Sequence, residues 1–147
     1  MKYQEKQIGW FSIIFIVLSI WLNIAFVYQL GDNPLKQLET NLLTILFGIL
    51  FLLFYQMKTE IDDEKIKIMF GIGIIRKTVK LNTITHAECV RNKWYNGIGI
   101  RMLQNGWLYN IHGMDAIELN YRNSKNIIRI GTQKPAEMKD IINGLLK

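Results

Sequence analysis

The chain has 147 residues, of which 50% are hydrophobic and 20% charged, and 18 Lys+Arg against 12 Asp+Glu give a net charge of +6. This hydrophobic content excludes an intrinsically disordered chain. The single cysteine excludes a disulfide framework and a cysteine-based zinc site within one chain. Only six of the charged residues lie in residues 1–57, so the chain divides into an apolar part and a charged part.

Two long uncharged runs occupy the first part. Residues 7–31 and 40–57 are 25 and 18 consecutive residues without a charge. As helices they measure roughly 37 and 27 Å, against a hydrocarbon core of about 30 Å. Because neither run has a polar face wide enough for water, we predict two transmembrane helices, at about 8–30 and 40–57.

A secretory signal peptide is the alternative for the first run. It requires a shorter apolar core and a small-x-small cleavage site, whereas this run ends in Val27-Tyr28-Gln29-Leu30. Small and polar residues recur along both runs at helical spacing, which favours packing of the two helices or self-association. They are Gly9, Ser12, Ser19 and Asn23 in the first run and Asn41, Thr44 and Gly48 in the second.

Lysine placement predicts the orientation of this helical hairpin. Lys2 and Lys6 precede the first helix and Lys58 follows the second, whereas the loop holds Lys36 together with two acids. The positive-inside rule therefore places the N- and C-termini in the cytoplasm. We expect a multi-pass protein of the cell membrane, with residues 1–57 as N-terminal tail and anchor.

Residues 58–147 change to the alternating pattern of half-buried strands. The predicted strand segments include 65–68, 76–81, 85–91, 99–104, 107–111, 116–121 and 126–130. Asn105-Gly106 favours a tight hairpin turn, and Arg122–Lys125 indicates a second hairpin. Apolar residues at i, i+3, i+4 and i+7 from Met138 predict a helix over 135–146. We expect an all-β sandwich or barrel of about seven strands, covered by this helix.

The same region resembles a known family. The segments that carry the resemblance are Trp94–Arg101, Gly106–Ile111, Gly113, Ala116–Glu118, Ile130–Thr132 and Pro135, in this order. On them, residues 57–147 resemble the bacterial pleckstrin-homology-like (PH-like) domains attached to transmembrane helices. The resemblance implies a PH-like barrel or sandwich of about seven strands with a C-terminal helix, in a membrane context. It implies no particular reaction.

Residues suited to catalysis or metal binding are few. The available ones are His86, Glu88, Cys89, His112 and Asp115. On a strand, His86 and Cys89 point to opposite faces. Gly71–Gly73 and Gly97–Gly99 lack the third glycine and the following helix of a dinucleotide fingerprint. We therefore expect no enzyme activity, no cofactor and no metal, and we expect Cys89 to be buried.

The net charge of the whole chain lies in residues 58–147, which hold 15 Lys+Arg against 9 Asp+Glu. An anionic leaflet attracts basic residues that are held close to its surface. The candidate lipid-contacting residues are Lys65, Lys67, Arg76, Lys77, Lys80 and Arg101. All but Arg101 lie on two adjacent predicted strands, where they form a basic strand face.

Aromatic residues indicate a second candidate surface. Trp94 and Tyr95 adjoin a glycine-rich loop beside Arg91 and Lys93, which suits contact with a partner or a membrane interface. Trp107 and Tyr109 share one strand face, and we expect that face to be the inner one.

These patterns predict a non-catalytic module at the membrane surface. It would dock a membrane protein partner, or a second copy of the chain, through sheet edges and aromatic loops. The alternative is recognition of anionic lipid headgroups by the basic strand face. Positive charge alone also permits nucleic-acid binding, but the chain has no nucleic-acid motif, so we expect membrane lipids and protein as partners and no nucleic acid.

Overall fold

A computed structural model describes residues 2–32 and 34–146 of the chain. The described elements are, in order, β1 (Tyr3–Ile8), α1 (Ile13–Val27), α2 (Gln37–Phe54), β2 (Gln56–Ile61), β3 (Lys65–Phe70), β4 (Ile75–Lys80), β5 (Ile84–Arg91), β6 (Gly99–Leu103), β7 (Gly106–Asn110), β8 (Asp115–Tyr121), β9 (Ile127–Gly131) and α3 (Pro135–Leu145). The predicted arrangement of two apolar helices, a β domain and a C-terminal helix is confirmed.

The two apolar helices form an antiparallel pair that projects from the β domain. The segments Trp10–Val27 and Gln37–Phe54 are each 18 residues long and are apolar enough to cross a membrane. Most of their side chains point away from the protein. Asn23 joins the helices by donating a hydrogen bond from Nδ2 to Thr44 Oγ1, at 2.9 Å. α1 is shorter than predicted, in part because Ile8 belongs to β1, whereas α2 has the predicted 18 residues but lies three residues earlier in the chain because Gln56 and Met57 belong to β2.

The N-terminal segment, expected to be a tail, is a strand. β1 pairs antiparallel with β2, in register from Tyr3 opposite Ile61 to Ile8 opposite Gln56. The helical pair is therefore inserted between two neighbouring strands of one sheet. The predicted boundary at residues 57 and 58 falls inside β2, and the β domain comprises residues 3–8 and 56–145.

Polar contacts fix β1 to the other side of the β domain. The Glu5 carboxylate accepts hydrogen bonds from the Tyr3 hydroxyl at 3.0 Å, the Thr132 hydroxyl at 2.6 Å and the Gln133 backbone N–H at 2.8 Å. The buried Gln7 side chain donates to the carbonyl oxygen of Gly131 at 2.8 Å. β1, the strand that precedes α1, is therefore bonded to the segment that leads into α3.

The strands form two sheets that share one core. The four-stranded sheet is an antiparallel meander in the order β1-β2-β3-β4. The five-stranded sheet has the order β5-β8-β9-β7-β6, and β7 and β9 are parallel. The described residues contain nine strands rather than about seven, and β1 is one strand that the alternation did not predict. Fully buried side chains of both sheets, such as Ile68 and Ile117, belong to the same core.

Both predicted hairpins are present in the five-stranded sheet. β6 and β7 pair across Gln104 and Asn105, and β8 and β9 pair across the turn at residues 122–126. The β6–β7 hairpin is inserted between β5 and β8 in the chain and extends the sheet at the side opposite β5.

Helix α3 packs on β5 and β8. Met138 and Ile142 are fully buried beneath it. Asn143 binds the backbone of Ala87 in both directions, accepting from its N–H at 2.8 Å and donating to its carbonyl oxygen at 2.9 Å. These two bonds occupy one position on the free edge of β5, so the helix protects that edge from pairing with another strand.

Candidate functional site

The outer face of the four-stranded sheet carries most of its exposed charge. In register, residues opposite each other on neighbouring strands point to the same side. Lys65, Lys67, Arg76 and Lys80 of the predicted basic face lie on this outer face, opposite to the buried Ile66, Ile68 and Val79. Four of the predicted residues are thus brought together.

Two further cations, missed from the sequence, complete this face. Lys6 of β1 lies opposite Lys58 of β2, Lys58 lies opposite Met69, and Met69 lies opposite Arg76. We name Lys6, Lys58 and Arg76 the cationic row. It crosses the four strands over about 14 Å, at strand spacings of about 4.8 Å. It lies two residues, or about 7 Å, from the last β1–β2 pair before the helices.

Acidic compensation on this face is small. Among the outward-facing strand positions of the sheet, all of which the structure describes, Glu60 is the one acid. Its carboxylate lies 2.6 Å from Lys58 Nζ. Six cations against one carboxylate leave the face strongly positive. These charges lie on an open face of the sheet.

The remaining predicted basic residues lie elsewhere. Lys77 is opposite Ile68, so it points to the inner side of β4 at the open edge of the sheet. Arg101 is on β6 in the other sheet, where its Nε–H donates to the carbonyl oxygen of Ile98 at 3.3 Å. Since Arg76 and Lys77 are adjacent in one strand, they could not share a face.

The aromatic pair lies in the connection between β5 and β6. These strands occupy opposite edges of the five-stranded sheet, so the connection crosses the sheet. Trp94 is 83% exposed, and its ring centroid lies 6.0 Å from that of Tyr95. Lys93 Nζ lies 5.5 Å from the centre of the Tyr95 ring, and hydrogen bonding with Tyr95 raises the pKa of Lys93.

A shallow cleft of about 320 Å³ lies under this connection. Its lining includes Arg91, Lys93, Tyr95 and Arg129. The guanidinium of Arg129 is paired with the Glu118 carboxylate at 2.6 Å, so its charge is compensated within the protein. The structure thus places Arg91, Trp94 and Tyr95 near each other, on a different sheet from the cationic row.

A second cleft, of about 430 Å³, opens where the unpaired edges of the two sheets face each other. Its lining includes Lys77 of β4, Met102 and Trp107 of the β6–β7 hairpin, and Tyr121 and Ile128. We name it the edge cleft. Trp107 and Tyr109 both face inward, as predicted, but Trp107 is 45% exposed because no strand of the four-stranded sheet covers it there.

Few features of the described residues suit catalysis. Within residues 2–32 and 34–146, no three His, Cys, Asp or Glu side chains lie together as metal ligands would. The expectation that Cys89 is buried is wrong, since this residue is exposed on the edge strand β5. His86 lies beside two polar neighbours at the surface, Asn120 at 3.3 Å and Glu88 at 3.9 Å.

Comparison with known proteins gives no relative from which to transfer a role. No family model matches the sequence, and no curated protein is significantly similar to it. The features that bear on function are the insertion of the helical pair between β1 and β2, the cationic row and the edge cleft.

Proposed function

We propose that this chain is an integral membrane protein that holds a PH-like β domain at the cytoplasmic surface of the cell membrane, as a non-catalytic binding module. The observation that carries the proposal is the pairing of β1 with β2 up to Ile8 and Gln56. Beyond this pair the Gly9 N–H donates to the carbonyl oxygen of Tyr55 at 2.9 Å. The domain and the helices are thus joined twice, with no flexible linker.

The helical pair supports membrane insertion. Each helical segment has 18 residues, about 27 Å of helix, and exposes apolar side chains that water would solvate poorly. Since β1 and β2 are neighbours in one sheet, the two helices must cross together and both termini must share one side. Lys2, Lys6 and Lys58 lie on that side, which the positive-inside rule identifies as the cytoplasm.

The arrangement of strands supports a PH-like fold. Two hairpins are inserted into the β domain, the helical one between β1 and β2 and the β6–β7 hairpin between β5 and β8. Without them, seven strands in two sheets and the C-terminal helix α3 remain. The support comes from the two sheets and the terminal helix, since the resemblance implies about seven strands with a C-terminal helix. Two of its segments, Trp94–Arg101 and Gly106–Ile111, themselves include part of β6 and all of β7.

The edge cleft is the place where we expect a protein partner or a second copy of the chain to dock. Unpaired strand edges accept an added strand through backbone hydrogen bonds, and adjacent apolar pockets give specificity. β4 and β6 are the edge strands on either side of this cleft, and Met102 and Trp107 supply exposed apolar surface.

Crosslinking in native membranes tests this module. A photoreactive amino acid at Met102 should capture one or a few proteins, whereas the same group at the exposed Asp140 of α3, outside the edge cleft, should not. Equal capture from both crosslinking positions would show that the edge cleft is not the docking site.

A reporter fused after residue 147 tests the orientation of the protein in the membrane. Reporter activity only outside the cytoplasm would contradict the proposed orientation.

The cationic row favours a second function, recognition of anionic lipid headgroups. It lies about 7 Å beyond the last strand pair before the helices, which is within the headgroup layer if the helices span the bilayer. Each basic residue near an anionic surface contributes about 1 kcal/mol. Because Lys58 is paired with Glu60, the two other cations of the row, Lys6 and Arg76, give a salt-sensitive attraction of about 2 kcal/mol.

The register suggests a soluble protein that tests lipid binding. Because Ile8 and Gln56 are paired, an Asn-Gly turn can replace residues 9–55 and retain β1, which the fragment 58–147 lacks. This variant should sediment with anionic vesicles at low salt. Changing Lys6, Lys58 and Arg76 to Gln should abolish sedimentation, while a matched change of Arg122, Lys125 and Lys139 should reduce it little. Equal loss in both variants would indicate an effect of net charge alone.

A further inference from the structure

The turn between β3 and β4, Gly71–Ile74, packs against the last turn of α2. Gly71 has φ of +55°, and a Cβ at this position would overlap the carbonyl oxygens of Leu52 and Leu53. Only glycine permits this approach of the turn to the helix. The turn therefore lies beside the end of α2, and not at the far end of the β domain.

Four hydrogen bonds hold the turn in place. The Gly71 N–H donates to the backbone oxygen of Gln56 at 2.8 Å, and the Gln56 side-chain amide donates to the Gly71 oxygen at 2.9 Å. The Gly73 N–H donates to the Phe70 oxygen at 2.8 Å, and Arg76 Nε–H donates to the oxygen of Gly73. The turn is thus attached both to the first residue of β2 and to a member of the cationic row.

This fixed turn exposes two large apolar side chains. Ile72 is 57% exposed and Ile74 is 68% exposed, and neither belongs to the core of the β domain. Turns exposed to water ordinarily carry small or polar residues. Trp10, at the start of the first helical segment, is exposed close to the same end of the sheet, where an interfacial aromatic residue is expected.

We propose that this turn inserts Ile72 and Ile74 into the boundary between headgroups and acyl chains of the leaflet that holds the end of α2. This inference rests on the proposed insertion of α1 and α2. The lipid surface is the occupant that the structure favours, because the exposed isoleucines continue the apolar surface of α2 at its last turn. The turn gives the β domain a third membrane contact, on the opposite side of β2 from its chain connection through β1.

The third contact determines how the β domain is oriented relative to the membrane. The ends of β1 and β2 and the β3–β4 turn lie in a row along one end of the four-stranded sheet. A contact at the turn therefore opposes rocking within the plane of the sheet, which would lift β4 from the membrane, and it keeps Arg76 of the cationic row near the headgroups. The far end of the domain, with the Asn123 turn, is then directed away from the membrane.

Site-specific fluorescence in bilayers tests the contact. The full chain with Cys89→Ala carries one introduced cysteine with an environment-sensitive dye, in vesicles of phosphatidylcholine and phosphatidylglycerol. A dye at Ile74→Cys should emit at shorter wavelength than one at Asn123→Cys and be quenched by nitroxides near the headgroups. A dye at Leu46→Cys, in the middle of α2, should be quenched by nitroxides deep in the acyl chains.

The three dye positions distinguish failure of this inference from failure of the proposed membrane insertion. Quenching at Leu46→Cys without quenching at Ile74→Cys overturns the inference and leaves membrane insertion intact. Absence of quenching at both positions overturns the proposed function and the inference with it. A blue-shifted dye at Ile74→Cys that nitroxide lipids do not quench would mean that protein, not lipid, covers the turn, and would also overturn the inference.

A second measurement reports the distance between β4 and the membrane surface. A dye at Thr78→Cys, on the outer face of β4, transfers energy to acceptors on the lipid headgroups. Changing Ile72 and Ile74 to Gln should lower this transfer, whereas changing the far-turn residues Asn123 and Ser124 to Gln should not. Unchanged transfer in the isoleucine variant, with an unchanged circular dichroism spectrum, would show that the turn does not hold the domain.

Discussion

The two sheets of the β domain differ in how they are joined to the helical pair. β1 and β2 of the four-stranded sheet continue directly into the helices, and this sheet carries the cationic row. The five-stranded sheet has no direct connection to the helices and carries a crossing aromatic connection, one side of the edge cleft and the helix α3. One sheet is thus continuous with the helical pair, whereas the other carries the longest loop of the β domain and α3.

The largest effect should follow deletion of residues 2–7, which removes most of β1. The deletion uncovers Met57 and Ile61, both fully buried, and removes the Glu5 contacts to the segment before α3. We expect a loss on the order of 5 kcal/mol, comparable with the whole stability of a small domain. Thermal unfolding in detergent, followed by near-ultraviolet circular dichroism, measures it.

The matched control for the deletion changes only outward-facing positions of β1. Gln4→Ala with Lys6→Ala should keep a cooperative transition at nearly the same temperature. If the deletion also leaves the transition unchanged, β1 is not part of the four-stranded sheet in solution, and the two sheets do not differ in their attachment as described.

A substitution in the five-stranded sheet should be nearly as disruptive. A Cβ at Gly106 would overlap the carbonyl oxygen of Ile127, where β7 and β9 run parallel. Gly106→Val should therefore cost about 3 kcal/mol. Gly144→Ala in α3 is the control, since its Cβ would meet nothing within 4 Å and should add up to about 1 kcal/mol. A well-folded Gly106→Val protein would argue against the parallel pairing.

Removing the Glu5 hydrogen bonds that join β1 to the segment before α3 should lower the free energy of unfolding by less than either change above. Glu5→Ala leaves the hydroxyls of Tyr3 and Thr132 and the N–H of Gln133 without their acceptor, at a cost of about 2 kcal/mol. Glu5→Gln keeps one acceptor oxygen and should lose less. Chemical denaturation of both variants measures the difference, and an alanine variant as stable as the parent would exclude Glu5 as a link.

The smallest expected effect is a loss of folding stability at alkaline pH. Burial, with the nearby Glu5 carboxylate, raises the pKa of Tyr3 above its ordinary value of about 10. The unfolded chain therefore loses this proton first, so the stabilising contribution is complete below about pH 10 and falls as the pH rises further. Tyr3→Phe should flatten this decline. It should cost about 1 kcal/mol at neutral pH through the lost hydrogen bond. An unchanged slope would contradict this assignment.

The sequence predicted the elements whose signals are local. The β6–β7 turn at Gln104 and Asn105, the β8–β9 turn at residues 122–126 and the two apolar runs each lie within one element or one hairpin. β1 was missed because two of its inward positions are Glu5 and Gln7. Their partners, Thr132, Gln133 and Gly131, lie more than 120 residues along the chain, so no local periodicity reveals them.

The candidate site was predicted only in part, for the same reason. Alternation within β3 and β4 was enough to find Lys65, Lys67, Arg76 and Lys80, and it also indicates that Lys77 points to the other side. Lys6 and Lys58 join them only through the pairing of strands on either side of the helices. The edge cleft depends on the order of strands in two sheets, which a single sequence does not determine.

The position of the helices inside a sheet sets the order in which this protein can be made. β1 is synthesised first, yet its partner β2 follows only after 47 intervening residues, 9–55. If the helices are inserted as proposed, β1 stays unpaired on its side of the membrane until both helices have been placed. Completion of the four-stranded sheet then fixes the adjoining ends of α1 and α2 side by side.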